Sequence, residues 1–162
     1  MRIDCKEYID LIEEKWGDKK DYFRNSYDFL LSSIDRGKQI AAHLEKYVSL
    51  KDKKCLDMGC LDGGVSIGIA QQGANVTGVE INKDCLHRAK ILNNFYKSNC
   101  VFELRDCLNT NFEDDYFDIV ICTDVIEHVA SHDSLMREIS RILRKQGFLY
   151  IPESCTDIKE IR

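Results

Sequence analysis

The chain has no long apolar run and no excess of basic residues, and each absence excludes a class of protein. Its 162 residues contain no apolar stretch near the ~20 residues that a bilayer-spanning helix needs, so we expect no membrane partner. The net charge of −5 argues against a general nucleic-acid-binding surface, which would be basic. Internal repeats and low-complexity linkers are also absent. With 44% hydrophobic residues, the composition predicts one globular domain.

The eight cysteines do not read as a disulfide framework. No Cys-x-x-Cys pair is present, and charges run through Met1–Ile12, so we expect no secretory leader. Five cysteines fall within or beside predicted strands, where a thiol acts as a small apolar side chain. They are Cys55, Cys60, Cys100, Cys122 and Cys155. The sequence therefore predicts free thiols and a cytoplasmic protein.

Predicted strands and helices alternate from Lys54 onward, which predicts a parallel sheet with helices on both faces. One helix ends at Gly73, a second is capped by Asn82, and a third covers Ser134–Arg144 with Gly147 just beyond its end. The predicted strands are Lys54–Met58, Asn75–Val79, Cys100–Arg105, Phe117–Cys122 and Phe148–Ile151.

A glycine-rich turn follows the first predicted strand. The strand ends on Asp57, and the turn carries Gly59, Gly63 and Gly64 before a helix begins. Strand, glycine turn and helix in this order let the backbone approach a ligand closely. A second acid, Glu80, stands at the end of the second strand, where a carboxylate can accept hydrogen bonds from ribose hydroxyls.

This ordered set resembles the class I S-adenosylmethionine (SAM)-dependent methyltransferases of the small-molecule type. In that family the first strand and turn read acid-x-Gly-x-Gly-x-Gly, and Asp57, Gly59 and Gly63 are in register, with Leu61 in place of the middle glycine. The resemblance covers about Lys54–Ile151. It implies an α/β fold, a three-layer α-β-α doubly wound and mostly parallel sheet with a Rossmann-like methyltransferase core.

The resemblance also implies that SAM is the cosubstrate and that four loops at the carboxyl ends of the strands hold it. Glu80 would accept from the ribose hydroxyls, and Ile81 would offer adenine an apolar face. Asp106 would accept from the adenine amino group, although an aspartate there could equally cap a turn. The implied donor-binding residues are Asp57, Gly59, Cys60, Leu61, Gly63, Glu80, Ile81, Asp106, Cys107, Leu108, Thr123 and Val125.

The segment Cys122–Val129 resembles the family's loop after strand four, in which an apolar pair leads into Glu-His. Glu127 is interpreted as a structural carboxylate that accepts from nearby backbone. His128 is the candidate catalytic residue, a general base for a hydroxyl nucleophile. No metal is expected, but Asp124, Glu127 and His128 form an alternative set for magnesium or manganese.

The function implied by the resemblance is methyl transfer from SAM to a small-molecule acceptor. The Asn/Asp-Pro-Pro-aromatic motif of enzymes that methylate DNA or protein nitrogen is absent. The alternatives are a SAM-binding domain without turnover, an RNA 2′-O-methyltransferase, and an NAD-binding Rossmann enzyme. The last would need Gly-x-Gly-x-x-Gly after strand one, which Leu61 and the Gly63-Gly64 pair do not fit.

The residues before and after the core carry two further expectations. Residues 1–50 are predicted to form helices near Tyr8–Ile12 and over Asp21–Leu31 and Asp35–Val48, either capping the sheet or closing as a lid over residues 51–162. In a lid, aromatic residues could face the sulfonium; these are Trp16, Tyr22, Phe23 and Tyr27. Family members add a helix and two strands after strand five, for which Glu153–Arg162 is too short. We expect the last ten residues or a homodimer partner to cover that edge.

Overall fold

The computed structural model describes residues 10, 20–152 and 159–160, with the side chains of 20–29 and 159–160 left aside. The predicted first helix (apart from Asp10), Trp16 and Cys155 lie outside the described residues. The side chains of the three lid aromatics on the second predicted helix also lie outside them. Within the described part, no helix combines the length and apolar character that crossing a bilayer requires.

The described chain begins with one long helix, α1, which spans Lys20–Leu44. The prediction of two helices with a break near Ser32 and Ser33 is therefore wrong. Serine is a weak helix former because its hydroxyl competes for backbone groups, but tertiary packing overrides that local preference. Leu30, Ile34, Ile40 and Leu44 are all buried, so one apolar face continues across the expected break.

The remaining elements alternate as the sequence predicts. The helices are α2 (Gly64–Ala70), α3 (Lys83–Tyr96) and α4 (His132–Ile142), with a 3₁₀ turn at Ile126–His128. The strands are β1 (Lys54–Met58), β2 (Asn75–Glu80), β3 (Val101–Leu104), β4 (Phe117–Cys122), β5 (Leu143–Tyr150) and β6 (Lys159–Glu160). They form one sheet in the order β3-β2-β1-β4-β5-β6, in which the first five strands are parallel.

Helices cover both faces of the sheet, so the predicted three-layer α/β architecture is confirmed. Ile119 and Ile121 of β4 pack into a core that also contains residues of α1, α2 and α3. Val120 and Cys122 alternate to the other face and pack with α4, for example with Ile139. A strand buried on both faces reads as a continuous apolar run, which is why β4 was recognisable in the sequence.

The boundary between the last helix and β5 differs from the prediction. Helix α4 ends at Ile142, because Leu143 already has extended backbone and pairs with Phe117 of β4. Gly147 therefore lies inside β5 rather than after a helix, and Gln146 before it has a φ of +66°. Two other predicted signals are confirmed: Asn82 caps α3 by accepting from the Asp84 amide at 2.9 Å, and Gly73 has a φ of +96° in the turn after α2.

The outer edge of β5 carries a short antiparallel strand. In β6, Glu160 pairs with Phe148 and Lys159 pairs with Leu149. Of the two expected covers for this edge, the structure shows the C-terminal residues of the same chain. A homodimer partner stays a prediction.

Candidate active site

The turn after β1 keeps its left-handed geometry although one position is not glycine. Gly59, Leu61 and Gly63 have φ values of +71°, +47° and +79°. Leucine is disfavoured in this region by about 1–2 kcal/mol because its Cβ crowds the following carbonyl. Gly59 is required for a second reason: a Cβ there would lie 2.6 Å from Cγ2 of Val125. The turn thus brings bare backbone to the carboxyl edge of the sheet.

Glu80 is buried at the tip of β2, where three backbone amides hold its carboxylate. Oε1 accepts from the amides of Ile81 and Asn82, both at 2.8 Å, and Oε2 accepts from the Leu61 amide at 3.1 Å. Only 6% of Glu80 is exposed, whereas Ile81 beside it is 70% exposed. The carboxylate is therefore fixed in orientation, and Oε2, which accepts only one amide, keeps a site for a further donor.

Asp57 is the second buried acid of the site, with 1% of its surface exposed. Its Oδ2 accepts from the Ser66 hydroxyl at 2.6 Å. Burial raises the pKa of Asp57 to about 6, an effect only partly opposed by the Ser66 hydrogen bond and by the charge of Arg36. A cation placed at this carboxylate would remove the cost of keeping it ionised.

The loop after β3 reaches the same edge. Oδ1 of Asp106 accepts from the amide of Leu108 at 2.8 Å, so this exposed aspartate does cap its own turn. Cys107 lies close to the first two loops. Burial and, secondarily, the charge of Glu80 raise the pKa of its thiol to about 12, and a hydrogen bond with the Gly59 backbone opposes both effects. Of the three predicted residues, Cys107 therefore contacts the turn after β1, and the aspartate is partly committed to local structure.

The loop after β4 is anchored to α1 by an ion pair that the sequence did not predict. Thr123 and Val125 are buried, while Asp124 between them is exposed with a φ of +56°. Both carboxylate oxygens of Asp124 accept from the guanidinium of Arg36, Oδ1 from Nη2 at 3.3 Å. The hydrogen bond from Arg36 holds the pKa of Asp124 below its ordinary range.

Glu127 and His128 are both exposed at the outer end of this loop. The His128 amide donates to the Val125 carbonyl at 2.9 Å. The positive charge of the His128 side chain contributes to the lowered pKa of Asp124. Among the described residues, the Glu127 carboxylate makes no hydrogen bond, so its structural interpretation finds no support there. No three His, Cys, Asp or Glu side chains come together as a metal site in the described ranges, and Asp124, Glu127 and His128 do not form one.

The loops after β1 and β4 border one cleft, which encloses about 450 Å³ including the part open to solvent. Its lining is Leu30, Ser33, Arg36, Asp57, Gly59, Cys60, Leu61, Asp62, Gly64, Val65, Thr123 and Asp124. Five predicted donor-binding residues line it directly: Asp57, Gly59, Cys60, Leu61 and Thr123. Three more predicted residues contact the lining without being part of it: Glu80 bonds to Leu61, and Cys107 and Val125 lie against Gly59. His128 is not part of the lining.

Helix α1 contributes three lining residues that the sequence reasoning missed, Leu30, Ser33 and Arg36. The helix can come this close because it crosses α2 at glycines. A Cβ on Gly68 would lie 2.2 Å from the Ile34 carbonyl oxygen, and one on Gly37 would lie 2.3 Å from the Val65 oxygen. Glycine inside a helical pattern, as at Gly37, was the available signal.

The turn is also tied to α3. Arg88 donates from Nε and Nη2 to the carboxylate of Asp62, with the shortest contact at 2.8 Å. Both side chains are largely buried, at 14% and 20% exposure, which strengthens a fork-to-carboxylate contact. Helix α3 therefore holds the turn after β1 through Asp62.

A protein-family model described as a methyltransferase domain matches residues 56–151, from β1 to the residue after β5. The chain belongs to this methyltransferase-domain family. Its glycine turn, Glu80 and the loops after β3 and β4 all fall inside the matched range. The expectation drawn from the resemblance is thereby confirmed at the level of the family.

Known proteins similar to this methyltransferase domain include two curated relatives and a solved structure. The chain is 29% identical over 136 residues to a sterol 4-C-methyltransferase from Caenorhabditis elegans, covering 78% of the chain and 41% of the relative. It is 28% identical over 108 residues to a ubiquinone biosynthesis O-methyltransferase from Coxiella burnetii, covering 67% and 46%. The crystal structure of PH0226 from Pyrococcus horikoshii aligns with a TM-score of 0.66 and 31% identity, covering 72% and 56%. The chain thus spans about half the length of the curated relatives it matches.

Proposed function

We propose that this methyltransferase domain transfers a methyl group from SAM to a small-molecule acceptor. One observation carries the proposal. The family match falls on the strand, turn and helix whose cleft brings the two buried acids, Asp57 and Glu80, to the carboxyl edge of the sheet. In doubly wound sheets this edge is where nucleoside ligands bind.

The polar groups of the cleft fit the parts of SAM. Asp57 keeps acceptor capacity beside its hydrogen bond from Ser66, and its raised pKa marks a carboxylate that a ligand ammonium would stabilise. Arg36 offers its guanidinium to the ligand carboxylate at the same end of the cleft. Glu80 accepts from the ribose at Oε2, the oxygen with a free acceptor site, while its three amides hold the carboxylate in place.

The adenine ring lies on the far side of Glu80 in this proposal. Ile81 is 70% exposed and offers one apolar face to the ring. The segment Asp106–Leu108 contacts the edge of the adenine ring, and Cys107 within it lies against the Gly59 backbone. The adenine contacts therefore come from the loops after β2 and β3.

When bound, SAM supplies a methyl group on a sulfonium, which is a good leaving group. The methyl–sulfur bond breaks as the acceptor–methyl bond forms, and the electron pair returns to sulfur, leaving S-adenosylhomocysteine. The residues of the cleft hold donor and acceptor in line, which can supply roughly 7–11 kcal/mol in the best cases. His128 is exposed at the outer end of the loop after β4 and outside the lining of the cleft, and it stays the candidate to take the acceptor proton where the nucleophile is a hydroxyl.

The acceptor class is supported by the relatives. One is named for methylation of a sterol carbon and the other for an oxygen in ubiquinone biosynthesis, and both acceptors are small molecules. The proposal accordingly takes a small-molecule acceptor and leaves the accepting atom to the experiment. A cytoplasmic location, drawn from the free cysteines in the described part, belongs to the same proposal.

Calorimetry with SAM, S-adenosylhomocysteine and NAD tests donor binding, and methyl transfer from labelled SAM across a panel of phenols, sterols and small amines tests turnover. We expect one molecule of SAM or S-adenosylhomocysteine per chain, no binding of NAD, and label in at least one acceptor. Binding without label in any acceptor would favour the SAM-binding domain without turnover. Binding of NAD alone would overturn the proposal.

A further inference from the structure

An ion pair between the buried Glu138 and the partly exposed Arg141 takes no part in the proposed chemistry. Glu138 of α4 is 7% exposed, and its Oε1 accepts from the amide of Thr110 at 2.8 Å and from the Thr110 hydroxyl at 2.5 Å. Arg141 donates to both oxygens of Glu138, at 2.7 Å and 3.0 Å. Burial alone would raise the pKa of Glu138, but these hydrogen bonds outweigh it and hold that pKa below its ordinary range.

The same network fixes the whole segment that follows Thr110. Arg141 donates to the Phe112 carbonyl at 2.7 Å and to Oδ1 of Asp114 at 2.6 Å. From the sheet side, Arg105 donates to the Thr110 carbonyl and lies over the Phe112 ring, 4.2 Å from its centre. Thr110, with no exposed surface, is therefore held on both its amide and its carbonyl.

Thr110 stands two residues after the segment assigned to adenine. The bridge between Asp106 and Asn109 closes the turn, and the Asn109 amide donates to the Asp106 carbonyl at 3.1 Å. Cys107 within this turn contacts the Gly59 backbone. The turn is thus short and closed, and its C-terminal end is fastened to Glu138.

We propose that Glu138 is a positioning residue for adenine, acting through Thr110 on the turn Asp106–Leu108. The inference rests on the proposed function, since it presupposes that this turn receives the base of SAM. A carboxylate is suited to the task because one oxygen can accept both the amide and the hydroxyl of Thr110 while Arg141 neutralises the charge. Loosening this contact should weaken binding of the base and leave binding of the sugar and amino-acid parts unchanged.

The test compares two ligands by calorimetry, S-adenosylhomocysteine and S-ribosylhomocysteine, which has the same sugar and amino-acid parts but no adenine. We expect Thr110→Val and Glu138→Gln to weaken S-adenosylhomocysteine about five- to tenfold, in line with one lost hydrogen bond to the base. Binding of S-ribosylhomocysteine should stay within about twofold of wild type. Thr110→Ser, which keeps the hydroxyl, should bind S-adenosylhomocysteine with the affinity of wild type.

Asp118→Asn is the matched control, because Asp118 accepts from Arg144 at 2.6 Å and from the Lys54 amide at the opposite end of the sheet. It should lower the melting temperature without changing either affinity. Equal weakening of both ligands, or no weakening by folded Thr110→Val, would overturn the inference. Failure of wild type to bind S-adenosylhomocysteine would instead overturn the proposed function, and this inference with it.

Discussion

The backbone amide of Leu61 donates a 3.1 Å hydrogen bond to the carboxylate of Glu80. This contact joins the turn after β1 to the tip of β2, and it occurs at the one position where the turn departs from the glycine pattern. Leu61 makes this contact while its own backbone is left-handed, with a φ of +47°. The acid proposed to hold the ribose therefore also holds the turn, so the site is assembled before any ligand arrives.

The raised pKa of Asp57 predicts a pH-dependent stability. Its folded-state pKa of about 6 lies above the ordinary 3.8, so its contribution to stability is complete below pH 3.8 and is lost as the pH rises through 6. The full effect corresponds to about 3 kcal/mol. Asp57→Asn removes this titration, and its free energy of unfolding should exceed that of wild type by a margin that grows from pH 4 to pH 7. Chemical denaturation at several pH values measures the margin. A margin that does not change with pH would contradict the buried, ionised state of Asp57.

We predict that Arg36 contributes to ligand affinity and contributes little to the stability of the fold. The Arg36 and Asp124 side chains are 38% and 49% exposed, and such pairs contribute about 0–1 kcal/mol. Arg36→Gln should therefore leave the melting temperature nearly unchanged and weaken S-adenosylhomocysteine about tenfold or more. It should not affect 5′-methylthioadenosine, which lacks the amino-acid part. Lys38→Gln, on the same helix, is the control. Equal loss for both ligands would remove Arg36 from the carboxylate end of the site.

The crossing of α1 and α2 predicts that Gly68 cannot be enlarged. Alanine would favour the helix by about 1 kcal/mol, but its Cβ would lie 2.2 Å from the Ile34 carbonyl oxygen and 2.9 Å from Cα of Gly37. We expect Gly68→Ala to lower the free energy of unfolding by about 1–3 kcal/mol through overpacking. Thermal melts measure this, with the exposed Gln39→Ala as control, expected within ~0.5 kcal/mol of wild type. A Gly68→Ala protein as stable as wild type would show that the two backbones are not in contact.

The sheet was largely predictable because its central strands are short apolar runs between turn signals. The bounds of β1 and β4 match the prediction, and Asn82 and Gly73 act as the expected cap and stop. The start of β5 was not predictable, because Leu143–Gln146 continues the helical spacing of α4 and only pairing with β4 makes it a strand. A local sequence pattern cannot predict the bounds of a strand when those bounds depend on pairing with a neighbouring strand.

The site was predictable where it is local in sequence and hidden where it depends on tertiary contacts. Glycines and acids at strand ends marked the loops after β1 and β2, because strand, glycine turn, helix and a second strand ending on an acid follow one another in order along the sequence. The Arg36–Asp124 pair joins residues 88 positions apart, and the Glu138–Thr110 contact joins residues 28 apart. No spacing rule links such partners.

The role of Glu80 is tested most directly by titrating S-adenosylhomocysteine into wild type and Glu80→Gln at neutral pH, with exposed Glu113→Gln as the charge-matched control. Glutamine is preferred to alanine because its oxygen can still accept from the amides of Ile81 and Asn82. The account predicts one tight site in wild type and in the control, and affinity weaker by roughly ten- to hundredfold in folded Glu80→Gln, as for a hydrogen bond to a charged group. Equal affinity in all three proteins would contradict it.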